Sequence, residues 1–153
     1  MRPLPNCSQI APEFSLQQAG TRPAPLAPMP DILIVDDDAA LNSWLQTVLR
    51  NGGYSTRSVE SSELMFAEIE REAPGLLLLD VLLPGVNGME ALKRLREDAR
   101  TREMPVILIT VLDPGRYMRA GLDLGASDFL VKPLSGPEVL QAVQARLAPG
   151  TPA

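Results

Sequence analysis

The chain has 153 residues, 45% of them hydrophobic, enough for one ordinary core and too few for two. Its 14 basic and 19 acidic residues leave a net charge of -5 with no basic block to track a phosphate backbone, which argues against direct nucleic-acid binding. Histidine is absent and cysteine occurs once, at Cys7; this excludes Ser/His/Asp and Cys/His catalysis, an internal phosphohistidine relay and an internal disulfide, and fits a reducing, cytoplasmic compartment.

Residues 1 to 30 hold seven of the fifteen prolines and show neither a helical nor an alternating apolar period. They read as an unstructured extension, and composition does not separate a linker from a docking arm or a mis-assigned start. No stretch in them or beyond is long and apolar enough for a signal peptide or a membrane span. From residue 31 to 148 the pattern alternates short apolar runs with helical periodicity, the mark of βα units around a parallel sheet, and residues 149 to 153 form a tail.

Five such units follow one another. The first pairs a strand at Ile32 to Val35 with a helix capped by Asp38, whose apolar face reads Leu41, Trp44, Leu45 and Val48 and which stops at Asn51, Gly52 and Gly53. A weak strand around Tyr54 to Val59 leads to a helix from about Ser62 to Arg71 that buries Met65, Phe66 and Ile69. The third strand, Leu76 to Leu79, is wholly aliphatic, as a central parallel strand should be, and its helix runs from Asn87 to about Asp98 with Met89, Leu92 and Leu95 inward. A fourth strand, Val106 to Ile109, is followed by a helix with few apolar anchors that passes Met118 and Leu122 and ends near Gly125. The fifth, Phe129 to Val131, runs into Lys132 and Pro133; Ser135 and Glu138 then form a capping box for a helix that turns Val139, Leu140, Val143 and Leu147 inward.

Right-handed crossovers place helices on both faces and every strand's carboxyl end along one edge, where open α/β sheets bind ligands. Four strands end there in a distinctive polar residue: Asp36 and Asp37 after the first, Asp80 after the third, Thr110 after the fourth, Lys132 after the fifth. Three carboxylates gathered at one edge repel unless a cation compensates, and an all-oxygen set suits Mg²⁺. With the charge so balanced, Asp80 is placed to act as a nucleophile toward an activated phosphoryl group, with Lys132 neutralising the transferring oxygens and Thr110 donating to the new phosphate. Each residue alone has an ordinary reading, as a helix cap, a strand end or a surface cation. Their conjunction at these spacings carries the inference.

The segments "ILIVDDD", "LLLLDVLLPGVNG", "VILIT" and "DFLVKP" resemble the receiver domains of two-component response regulators, over about residues 31 to 148. The resemblance implies a flavodoxin-like (βα)5 α/β fold with strand order 2-1-3-4-5. It implies a Mg²⁺ site of Asp36, Asp37, Asp80 and the backbone carbonyl of Leu82, with Asp80 as phospho-acceptor. It further implies Thr110 and Phe129 as the switch pair, a cis peptide between Lys132 and Pro133, and Gly85 and Gly88 in the loop after the acceptor. The partners implied are a sensor histidine kinase or phosphotransfer protein and a downstream effector.

The chain departs from the family pattern in places. Val111 follows Thr110 where the family has a small residue, which narrows the approach to Asp80 and slows bulky donors. Leucines stand two positions after the acceptor and after the threonine, Leu82 and Leu112, and neither orients an attacking water, so a slowly hydrolysing phosphoryl group is expected. The last helix carries only one basic residue, Arg146, which weighs against the charge-rich dimer face of DNA-binding regulators while leaving homodimers open. A haloacid dehalogenase-type phosphatase fails on its Asp-x-Asp-x-Thr/Val run, since Ala40 stands at the last position, and on the lack of room for a cap domain. A flavin carrier fails on three aspartates where a phosphate would sit. A receiver fold used for docking without phosphorylation is the remaining alternative to a switch, which would itself not be an enzyme in the ordinary sense.

Overall fold

The structure, a computed structural model, describes residues 31–111 and 114–147, all within one compact unit, Met29–Gly150. The proposed extension with Cys7, the tail, and Leu112 lie outside the described residues. Ten elements alternate strictly: β1 Asp31–Val35, α1 Ala39–Asn51, β2 Ser55–Val59, α2 Ser62–Arg71, β3 Leu76–Asp80, α3 Gly88–Glu97, β4 Val106–Thr110, α4 Pro114–Asp123, β5 Asp128–Val131 and α5 Gly136–Gln144. All neighbouring strands are parallel, in the order β2-β1-β3-β4-β5, the flavodoxin-like arrangement expected from the sequence. Among the described residues no helix is long and apolar enough to cross a membrane.

Side-chain alternation along the buried strands makes two cores. Leu33, Val35, Leu77, Leu79 and Leu108 face α2 and α3, meeting Met65, Leu92 and Leu95. Ile32, Ile34, Leu76, Leu78 and Ile107 face α1 and α5, meeting Leu45, Leu49, Val139 and Val143. Every residue of β3 and β4 is buried, which is why both strands read as unbroken apolar runs; β2, at the edge, is half-exposed and polar. Each buried Leu or Ile contributes about 1.5–3 kcal/mol relative to exposure.

Two of the four helix caps, Asp38 and Ser135, are those expected; Ser61 was not singled out, and Asn87, expected to begin α3, caps it instead. Asp38 accepts from the N–H groups of Ala40 and Leu41, Ser61 from Leu64, Asn87 from Glu90 and Ser135 from Glu138. Two expectations need correction. Trp44 is not on the apolar face of α1: it lies roughly 100° round the helix from Leu45 and is 38% exposed, while Asn42, Leu45 and Leu49 are the buried positions. Arg146 falls beyond the end of α5, in the turn where its guanidinium donates to the carbonyl of Ser127. The scarcity of apolar anchors in α4 is as expected: Met118 and Leu122 are exposed, and the helix approaches the sheet at Gly121, where an added Cβ would come 2.5 Å from Leu108 Cδ1, with Leu124 packing in the turn that follows.

Candidate phospho-acceptor and metal centre

β1, β3, β4 and β5 deliver their polar termini to the same sheet edge. Asp80 is the last residue of β3 and pairs in register with Ile109, so Thr110 stands one step further along β4; Lys132 follows β5, its N–H donating to the Thr110 carbonyl at 2.9 Å. Asp36 follows β1, held by its own N–H to the Val59 carbonyl at 3.2 Å. One carboxylate oxygen from each of Asp36, Asp37 and Asp80 lies within 4.8 Å of the others.

Asp36 and Asp80 are buried and Asp37 is exposed, so two charges sit in the protein and one at its surface. Lys132 Nζ bridges the buried pair, 2.9 Å from Asp36 Oδ2 and 3.3 Å from Asp80 Oδ2. The remaining oxygens are taken up by backbone: Asp38 N–H donates to Asp36 Oδ1 at 2.9 Å and Leu82 N–H to Asp80 Oδ1 at 3.2 Å. Burial, and next the Asp36 charge, push the Asp80 carboxyl up to about 6, while Lys132 and the Leu82 N–H pull the other way. For Lys132 burial works against the ammonium, but the Asp36 and Asp80 carboxylates together outweigh it and raise its pKa.

The surroundings fit a hard divalent cation. The three candidate ligand side chains are all carboxylates, one face of the cluster is open at Asp37, and the single Lys132 ammonium leaves three negative charges incompletely balanced. The other sequence-selected residues do not all reach this cluster: Phe129 pairs with Leu108, two positions short of Thr110 along the same strand pair. Thr110 is fully buried; Phe129 is buried in the core facing α2 and α3, 3.8 Å from where a Cβ on Gly121 would stand; the Lys132–Pro133 peptide is cis. The side chains of Leu82 and Val111 are exposed, at 47% and 60%. Gly85 takes φ +74°, and Gly88 lies against the end of β3, where an added Cβ would fall 2.2 Å from the Asp80 carbonyl oxygen.

Two supporting residues escaped the sequence reading. Ser62, fully buried at the start of α2, donates to the Val86 carbonyl at 2.8 Å and so ties α2 to the loop that follows Asp80. Asn42 donates to the Asp36 carbonyl at 2.8 Å. The only signal for either was a small polar residue at a helical position that faces inward.

The family model for the response regulator receiver domain matches residues 32–144, and the chain belongs to that family: it is a CheY-like receiver domain of the two-component type. It is 37% identical over 122 residues to the phosphate regulon transcriptional regulatory protein PhoB of Pseudomonas aeruginosa, covering 78% of this chain and 53% of that protein. It is 37% identical over 119 residues to the DNA-binding dual master transcriptional regulator RpaA of Synechocystis, covering 78% and 49%. The chain thus spans about half the length of these curated relatives. Among solved structures, a response regulator from Chloroflexus aurantiacus superposes with a TM-score of 0.74 at 36% identity, covering 78% of this chain and 98% of that one. The chemotaxis protein CheY4 of Vibrio cholerae, 23% identical with a TM-score of 0.74, covers 78% and 100% and shares the fold. Receiver domains as a family bind Mg²⁺ and are not conventional enzymes.

Proposed function

We propose that this domain, residues 31–148, is a phosphorylation-dependent switch that accepts a phosphoryl group on Asp80. The observation that carries the reading is the meeting of Asp36, Asp37 and Asp80 within 4.8 Å, with Lys132 bridging the two buried carboxylates. A carboxylate oxygen of Asp80 attacks phosphorus, a P–O or P–N bond to the donor breaks, and the donor leaves with that bonding pair. Asp36, Asp37, Asp80 and the Leu82 carbonyl would hold Mg²⁺, which supplies positive charge to offset the phosphoryl oxygens. Lys132, freed from Asp80 by esterification, pairs with the phosphate, and the Thr110 hydroxyl donates to it. Phe129 then follows Thr110 and alters the surface beside α4.

The donor is a sensor histidine kinase or phosphotransfer protein in the cytoplasm, and the reader is a downstream effector protein or a second copy of the chain. Incubation of the 153-residue protein with acetyl phosphate or a phosphoramidate, followed by intact-mass measurement, is expected to show one added phosphate that requires Mg²⁺ and is absent from Asp80→Ala. A chain that takes up no phosphate in Mg²⁺ is a docking module instead.

A further inference from the structure

The buried stripe of α1 is apolar at Leu45 and Leu49, yet its first position is Asn42, 5% exposed. Its Oδ1 is buried and has no hydrogen-bond partner among the described residues. A buried amide with one unsatisfied end is a standing cost that an apolar residue of similar size would not carry on its own account. The other end accounts for its presence: Asn42 Nδ2 donates to the Asp36 carbonyl at 2.8 Å, six residues back and one turn beyond the Asp38 cap.

That carbonyl belongs to the peptide joining Asp36 to Asp37. A bond to it fixes the peptide plane from which the exposed Asp37 carboxylate projects, and at the same time completes the immobilisation of Asp36. Its N–H is held by Val59, its Oδ1 by the Asp38 N–H and its Oδ2 by Lys132. Resting on the reading of this cluster as a Mg²⁺ site, we infer that Asn42 is a positioning residue that presets both acidic ligands of the β1–α1 loop for the cation. It acts through the backbone and does not touch the metal. Partners at this remove commonly change metal affinity by about 10-fold to 100-fold.

The test measures the Mg²⁺ dissociation constant by isothermal titration, and amide hydrogen exchange at Asp38 without metal, in the full chain. Asn42→Ala, and Asn42→Leu as a variant with the same number and branching of side-chain heavy atoms, are expected to raise the dissociation constant about tenfold and to speed exchange at Asp38. Leu49→Val, which loosens the same helix face without reaching Asp36, serves as the control for general destabilisation and should change neither. The inference is overturned if both Asn42 variants bind Mg²⁺ within twofold of the wild type, or if Leu49→Val weakens binding equally. A wild-type protein that binds no Mg²⁺ overturns it together with the metal reading of the cluster.

Discussion

In the metal-free protein Asp80 is ionised at a cost, because burial and the neighbouring Asp36 charge raise its pKa from 3.8 to about 6. A carboxyl whose folded pKa lies above its unfolded one favours the folded state below about pH 4 and gives up that contribution as pH rises through 6. At about 1.4 kcal/mol per pKa unit, the stability lost by pH 7 is about 2 to 3 kcal/mol. Asp80→Asn removes the charge, so in EDTA at pH 7 urea unfolding should find it more stable than the wild type by about that amount. The gap should narrow below pH 6 and close near pH 4; a wild type as stable as the variant at pH 7 would contradict the assignment. If Asp80 is phosphorylated as proposed, the half-exposed Leu82 is expected to bear on the lifetime of that form rather than on stability. A hydrogen bond of about 1.4 kcal/mol to an attacking water is worth about tenfold in rate, so Leu82→Asn should shorten the life of the phosphorylated form about tenfold, and a wild-type lifetime of seconds would show that the apolar flank does not protect it.

At the level of elements, α3 sits so close behind Asp80 that Gly88 has no space for a side chain: a Cβ would meet the Asp80 carbonyl oxygen at 2.2 Å and Val81 Cα at 2.8 Å, both backbone atoms. Gly88→Ala must therefore move the helix or the end of β3. We expect a loss of about 1–3 kcal/mol in stability and slower phosphorylation by acetyl phosphate at saturating Mg²⁺, whereas an unchanged rate would place the acceptor's geometry beyond the reach of α3. The sequence announced α3 through the Leu92, Leu95 pair, although Asn87, read there as the start of the helix, is its cap, and it placed α2 within its approximate bounds. It was less informative for α1 and α4. In α1 the eye is drawn to Trp44 because spacing alone accepts it, while the true stripe runs through a polar Asn42. In α4 the anchoring position is a glycine, which has no hydrophobicity to display, so the exposed Met118 and Leu122 stand out in its place.

For the molecule as a whole, the topology was readable because one-edge convergence follows from parallel strands: once Leu76 to Leu79 is recognised as a doubly buried strand, Asp80 must share an edge with Asp36, Thr110 and Lys132. The bonds that steady the edge from behind, Asn42 to Asp36 and Ser62 to Val86, were not readable, since they join side chains to backbone carbonyls and leave no pattern in residue type. The outer margin of the sheet has a consequence of its own. On β2, Arg57 reaches Asp31, Glu68 and the Glu72 carbonyl, so the one long cation of this strand is turned along the rim and fastened to its neighbours. A strand from another molecule that tried to extend the sheet there would have to lie beside a polar ribbon guarded by a fixed charge, and the exposed side of β2 is thereby protected against runaway aggregation.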